Sequence, residues 1–334
     1  MTSAEHHPQT MDLNARIYVA GHRGLAGSAI LRRLTSEGFR NLVTRTHAEL
    51  ELTDAAAVRA FFEAEKPEYI FLAAAKVGGI LANRDYPAEF IQANLAIQTN
   101  VIHEAWKTGV KRLLFLGSSC VYPRECPQPM KEAHLLTGPL EPTNQPYAIA
   151  KIAGIEMCWA YNRQYGTRFV TVMPPNLYGP GDNYDLDSSH FLPALIRKTH
   201  DAKVHGHPEV VVWGTGTPRR EVLYSEDMAQ ACVLVMSLSH ERLNALFPSD
   251  RPPLINIGCG EDLTIREFAE AVARVVGFRG RLRFDTSKPD GMPRKVMDVS
   301  RFRELGWKPR VGLDEGVRLA YQDFQTRRES AATL

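Results

Sequence analysis

Tyr147 and Lys151 stand four residues apart in a chain of 334. On a helix that spacing puts both side chains on one face, one turn apart, so an ammonium lies beside a phenol. A phenol near pKa ~10 exchanges protons poorly at neutral pH, and a neighbouring cation stabilises the phenolate and draws that value down. On this basis Tyr147 becomes a usable acid. Ser118 and Ser119 close the apolar run Leu113-Leu114-Phe115-Leu116-Gly117, and Ser118 is placed to hydrogen-bond the oxygen that Tyr147 protonates. A third signal lies near the start, where Arg16-Ile17-Tyr18-Val19-Ala20 runs into Gly21-His22-Arg23-Gly24-Leu25-Ala26-Gly27. A strand, a glycine loop and an apolar helix in that order hold a dinucleotide pyrophosphate on exposed helix amides.

These groups need strands that end together and helices that return the chain. The spacing predicts strands over 16–20, 41–44, 69–73, 113–116 and 168–173. It predicts helices from about Gly24 to Ser36, after a cap at Thr53 or Asp54, from about Ala88 to Trp106, and from Tyr147 to about Tyr165. Residues 83–87 read as a turn, and the small residues of Ala74-Ala75-Lys76-Val77-Gly78-Gly79 allow close approach of backbone to a ligand. Strand and helix alternation of this kind gives an α/β fold, a Rossmann-like doubly wound parallel sheet whose ligands sit outside the carboxyl ends of the strands. The segment 123–146 carries six prolines and is long for a mere connection, which marks it as functional. Past Met173 the texture changes to Pro174-Pro175-Asn176-Leu177-Tyr178-Gly179-Pro180 and then to shorter elements, with a capping box at Thr264-Ile265-Arg266-Glu267. The divisions expected are a loose tail over 1–14, a dinucleotide-binding domain over 15–175, and a smaller C-terminal α/β substrate domain over 176–334, some of whose segments return to the first.

The end of the second strand reports on the cofactor. NAD-selective proteins place an Asp or Glu there for the ribose hydroxyls, but this chain has Arg45-Thr46. Arg45, helped by Arg23, suits a 2′-phosphate and therefore NADP, although both also read as solvated surface arginines. Asp54 reads as a cap or as an adenine contact.

Bulk composition excludes other classes. With 44% hydrophobic and 23% charged residues and a net charge of +2, nothing draws the chain to nucleic acid or a membrane surface. The five cysteines are odd in number, with neither CxxC pairs nor metal-ligand spacing, so free thiols in a reducing cytoplasm are expected. His6-His7 lacks the further ligands of a metal site, and no metal is expected. Met1 to Asn14 is polar and does not read as a signal peptide, and no later run reaches membrane-spanning length.

The glycine loop, the strand-end serine and the YxxxK pair, in that order, resemble the extended short-chain dehydrogenase/reductase family. The resemblance tightens over Gly117-Ser118-Ser119-Cys120-Val121-Tyr122-Pro123, Glu141-Pro142-Thr143-Asn144, Asn176-Leu177-Tyr178-Gly179-Pro180, Lys288-Pro289-Asp290-Gly291 and Pro293-Arg294-Lys295. Together these are similar to a branch that epimerises C3 and C5 of GDP-4-keto-6-deoxy-D-mannose and reduces C4 with NADPH. The resemblance implies a Ser118, Tyr147 and Lys151 triad, with Cys120 as base and His190 as acid for the epimerisations. On residue type alone Cys120 reads as a small packing residue and His190 as a capping or surface histidine. It implies NADP(H) held by residues 21–27, Arg45, Leu116, Gly117, Ser118, Ser119, Tyr147, Lys151, Pro174, Pro175, Asn176, Leu177 and His190. It implies a nucleotide sugar held by Asn176, Lys198, Trp213, Arg220 and Lys295, with Lys198 where members often carry Arg. Trp213 suits stacking on guanine or sugar, or core packing. The family also pairs the helix before Trp106 with the Tyr147 helix as a four-helix bundle across a homodimer, where packing within one subunit is the alternative. A related NAD-dependent epimerase or dehydratase, and a non-catalytic NADP-binding regulator, are the other readings of this fold.

Overall fold

The computed structural model describes residues 11–288 and 290–332; the first ten residues of the expected tail and Pro289 lie outside them. The main sheet is parallel and six-stranded. Its strands are β1 (Ile17–Ala20), β2 (Leu42–Val43), β3 (Tyr69–Leu72), β4 (Arg112–Leu116), β5 (Phe169–Met173) and β10 (Leu254–Asn256), in the order β10-β5-β4-β3-β1-β2. The order reverses between β1 and β3, so the crevice outside their carboxyl ends is the expected ligand site.

Residue alternation along each strand explains the layers. Ile17 and Val19 of β1, Leu114 and Leu116 of β4, and Val170 and Val172 of β5 enter one buried cluster; Tyr18, Ala20, Leu113, Phe115, Phe169 and Met173 enter another. Successive side chains of a strand point to opposite faces, so a sheet covered on both sides needs continuous apolar strands. Helices α1 (Leu25–Ser36) and α7 (Ser225–Met236) cover the first face. Helices α2 (Ala55–Glu65), α4 (Pro87–Lys107) and α5 (Gln145–Tyr165) cover the second. Each fully buried Leu, Ile or Phe contributes roughly 1.5–3 kcal/mol. Asp54 caps α2 by accepting from the amides of Ala56 and Ala57 at 2.8 and 3.0 Å. The expected turn at 83–87 is instead a short helix, α3 (Ile80–Asp85). Asn83 donates its amide to the carbonyls of Gly78 and Gly79 and closes that turn of helix.

A separate apolar cluster is built from α6 (Phe191–Val204), α9 (Ile265–Val276), α11 (Leu313–Ala332) and the parallel pair β7 (Glu209–Trp213) and β12 (Arg281–Asp285). The Thr264 and Glu267 capping box opens α9 with bonds of 2.7 and 3.1 Å. Two small sheets link this part to the cleft: β6 (Asn176–Tyr178) with β9 (Val222–Tyr224), and β11 (Leu263–Thr264), β8 (Arg219–Arg220) and β13 (Arg294–Lys295). Helices α8 (His240–Leu246) and α10 (Ser300–Arg303) flank β10 and the first apolar face. Among the described residues, no helix is long and apolar enough to cross a membrane.

Candidate active site

The glycine loop makes a cradle that larger residues would fill. Gly21 has φ +83°, and a Cβ there would lie 2.7 Å from the Ala74 amide; a Cβ on Gly27 would lie 2.1 Å from the Gly21 carbonyl. Backbone conformation and close approach therefore both demand glycine here. Gly24 precedes α1 without a side-chain cap, which leaves the first amides of α1 for an anion. The buried His22 Nδ1 and Ser119 Oγ have no partner, two polar atoms beside the cleft that fit a polar ligand. Burial and Arg23 hold the His22 imidazole below its usual pKa. Arg45 does not stand free: it is ion-paired to Glu65, donates to the Thr44 carbonyl at 2.7 Å and lies over the Phe61 ring. Arg23 is exposed and has no ion pair among the described residues, so it is the freer cation for a phosphate.

At the carboxyl end of β4 the expected triad comes together. Ser118 begins a turn of 3-10 helix, its Oγ accepting from the Cys120 amide at 3.3 Å, and it also bonds the Tyr147 hydroxyl. Lys151 is 3% exposed; its Nζ donates to the Leu116 carbonyl at 2.9 Å and sits 4.6 Å from the Phe115 ring centroid and 5.9 Å from that of Tyr147. α5 lies this low on the sheet because Gly154 faces the Phe115 ring, where a Cβ would approach to 2.5 Å. The electrostatics reverse the expected lowering of the phenol. Burial, then the Cys120 thiol, push the Tyr147 pKa up against the Ser118 hydrogen bond, while burial pulls Lys151 down to about 7. Removing both groups from water disfavours both charged forms more than their mutual attraction favours them. Tyr147 is therefore protonated at neutral pH and weakly acidic, so its proton goes only to a strong base such as an alkoxide.

Beside the triad lies a second group assembled from distant segments. The Cys120 sulfur receives Asn144 Nδ2 at 3.2 Å and Lys295 Nζ at 3.6 Å. An ammonium and an amide N–H are the partners a thiolate takes. His190 is the N-cap residue of α6 and is exposed. Crowding of the ring by neighbouring atoms, and then Lys295, hold its pKa below the usual value. A strap over residues 179–190 delivers it. Asp185 organises the strap by accepting from Asp187 and Ser188, and the Ser188 carbonyl receives the Gly79 amide at 3.0 Å. The close approach expected at Gly78-Gly79 is thus made to this strap.

Of the remaining expected residues, Leu116, Gly117, Ser119, Pro174, Pro175, Asn176 and Leu177 cluster where β4 and β5 end and β6 begins, with the Ser119 amide on the Pro174 carbonyl. Trp213 is 54% exposed and lies beneath two ammonium groups, Lys198 at 5.1 Å and Lys288 at 5.5 Å, rather than in the core. Burial lowers the pKa of Lys198. Arg220 is held by the Arg219 and Met292 carbonyls at 2.8 and 2.6 Å.

The sequence did not reveal Asn144 or Glu221. Glu221 is 1% exposed and accepts from the Gly260 and Met297 amides at 2.8 Å each; burial raises its carboxyl to about 7. With the Glu221 amide on the Lys295 carbonyl at 3.1 Å, it fixes the strand that brings Lys295 to the cleft. A glutamate beside an expected ligand-binding arginine was the available signal, and its partners lie tens of residues away.

Known proteins resemble this chain over nearly its whole length. The model of the NAD dependent epimerase/dehydratase family matches residues 17–247. GDP-L-fucose synthase 1 of Arabidopsis thaliana is 57% identical over 310 residues, 93% of this chain and 93% of that protein. GDP-L-fucose synthase of Escherichia coli K12 is 53% identical over 311 residues, 92% of this chain and 96% of that one. The crystal structure of an NADP-bound GDP-L-fucose synthetase from Naegleria fowleri has a TM-score of 0.87 at 27% identity, covering 97% of this chain and 98% of the other.

Proposed function

The chain belongs to the NAD dependent epimerase/dehydratase family and, within it, to the GDP-L-fucose synthases, and we propose that it converts GDP-4-keto-6-deoxy-D-mannose to GDP-L-fucose. The reaction inverts C3 and C5 and then reduces the C4 ketone, with NADPH as cofactor. The observation that carries this reading is the convergence of two proton-handling groups: the Ser118, Tyr147 and Lys151 cluster, and beside it Cys120 with Lys295, which also acts on His190.

Hydrogens on carbons beside a ketone are acidic because their loss gives an enolate, and inversion requires removal from one face and delivery to the other. Cys120 takes the proton as thiolate: the C–H bond breaks, an S–H bond forms, and the electron pair moves onto the C4 oxygen. His190 delivers a proton to the opposite face. Ser118 and Tyr147 hold the C4 oxygen through both inversions. When bound, NADPH supplies hydride to C4, and Tyr147 gives its proton to the resulting alkoxide. The glycine loop, Arg23 and the β4 and β5 ends hold the cofactor; Arg45 contributes to its phosphate side once released from Glu65. Lys198, Arg220 and Lys295 hold the diphosphate, Asn176 a sugar hydroxyl, and Trp213 the guanine or sugar face. The chain from about residue 176 serves mainly the nucleotide sugar. Two copies pair through α4 and α5, a reading supported by the exposed Ile149 and by an apolar groove of Pro87, Ala88, Ile91 and Pro146.

Absorbance at the nicotinamide band, followed as protein, NADPH and GDP-4-keto-6-deoxy-D-mannose are mixed, with sugar analysis of the product, tests the reaction. GDP-L-fucose formed with NADPH oxidation is expected. A D-configured product would reduce the protein to a 4-reductase and remove the roles of Cys120 and His190. Unchanged NADPH would transfer the activity to another substrate.

A further inference from the structure

Asn144 occupies the N-cap position of α5, yet its side chain makes no capping hydrogen bond. Asn is favoured at such positions because its Oδ1 accepts from the second or third helical amide, worth about 1 kcal/mol. Here the second helical residue is Pro146, which has no N–H. The side chain turns away from the helix: Nδ2 reaches the Cys120 sulfur at 3.2 Å, and the buried Oδ1 has no partner. A buried carbonyl oxygen left unpaired costs roughly 1–3 kcal/mol, so capping does not explain this residue.

We propose that Asn144 is a positioning residue that follows the proton on Cys120 during epimerisation. The inference rests on the reading of Cys120 as the group that moves the proton. In one inversion the sulfur passes from thiolate to thiol, and must return to thiolate before the next. A carboxamide has a donor end and an acceptor end of nearly equal shape, exchanged by a half-turn of its last torsion. With the thiolate, Nδ2 donates to the sulfur; with the thiol, S–H donates to Oδ1, and the orphaned oxygen gains its partner. The sulfur keeps a hydrogen bond and a fixed position in both states. Asn144 lies three residues before Tyr147 at the start of one helix, so the amide that bonds the sulfur and the phenol are carried by one rigid element.

The titratable groups facing the sulfur come from several elements. The Lys295 ammonium approaches from β13, and Tyr147 faces it from α5. Cys126, on the same loop as Cys120, and His190, at the start of α6, each face Lys295. Of the two side chains that bond the sulfur among the described residues, the Lys295 ammonium offers only donors, whereas the Asn144 amide carries both a donor and an acceptor.

Asn144→Asp and Asn144→Ser separate this role from a structural one, since both residues are good N-caps. Asp presents only acceptors and a like charge to a thiolate; Ser keeps a short cap but withdraws the amide. The full chain, bound to NADP+, is alkylated with iodoacetamide from pH 6 to 10, and the Cys120 peptide is quantified by mass spectrometry. In Asn144→Asp the midpoint is expected to rise by about one pH unit through like-charge repulsion. The midpoint in Asn144→Ser rises by a smaller amount in the same direction. Deuterium wash-in from D2O to C3 and C5 of the keto sugar, measured without NADPH, slows about tenfold in Asn144→Asp, the equivalent of one pH unit. Midpoints in both variants within about 0.2 unit of the parent overturn the proposal. Absence of wash-in in the parent protein instead overturns the reading of Cys120, whatever the alkylation profiles show.

Discussion

The two proton-handling groups are built by different rules. The group of Ser118, Tyr147 and Lys151 comes from one strand and one helix packed face to face, and its key bond, Lys151 to the Leu116 carbonyl, joins β4 directly to α5. The group of Cys120, His190 and Lys295 draws on four segments, near 120, 144, 190 and 295, tied together by side chains such as Asn144 and Glu221. Regular sheet geometry places the first group wherever the pattern is kept. The second depends on a strap, two short sheets and a buried carboxylate, so its precision rests on more separate contacts.

Breaking the first group should produce the larger effect. Tyr147→Phe removes the proton donated to the C4 alkoxide, and NADPH oxidation in stopped-flow is expected to fall about 10³-fold, the scale of a lost general acid. Breaking the second group should separate the two half-reactions. Cys120→Ser replaces a thiolate-forming group with a hydroxyl, and deuterium wash-in at C3 and C5 is expected to fall about 10²-fold while NADPH binding, followed by fluorescence, stays near that of the parent. Full-rate wash-in in this variant would remove the base assignment.

The smallest effect concerns the strap that delivers His190. Burial raises the Asp182 carboxyl to about 7, above its unfolded value of ~3.9. Below the unfolded value the group adds no pH dependence. As pH rises through the window, the unfolded chain releases a proton that the folded chain retains, and stability falls until about pH 7. Urea unfolding at pH 5 and 7 should show Asp182→Asn losing about 2 kcal/mol less than the parent over this interval. Glu221, also raised to about 7, contributes a loss of the same sign in both proteins. Equal losses in the two would place the strap's pH response elsewhere.

This contrast also sets what the sequence could disclose. The apolar strands, the glycine loop, the Asp54 cap and the Thr264 box follow from local periodicity and local hydrogen bonds, and each stands in the structure at or within a few residues of its expected place. The helix at 80–85 was hidden because its glycine and proline flanks read as a turn, whereas Asn83 supplies the bonds that close it. The Tyr147 and Lys151 spacing was legible, but the sign of their electrostatics was not, because burial is a property of the packed cleft rather than of the pair. Arg45 reads as free in one dimension and is held by Glu65, twenty residues on. Asn144 looked like part of a motif, and only the fold shows that its amide meets a sulfur.

The pairing of β10 with β5 has a consequence for how the protein is made. Leu254, Ile255 and Asn256 complete the sheet beside Thr171, Val172 and Met173, so the strand that closes the edge is synthesised long after the strand it covers. At about 5–20 residues per second, translation of the intervening roughly 80 residues leaves the β5 edge open for some 4–16 s. An open edge of a nearly finished, apolar sheet is a template for pairing with another nascent chain. Until residue 254 has been made, the β5 edge is therefore open to a second chain.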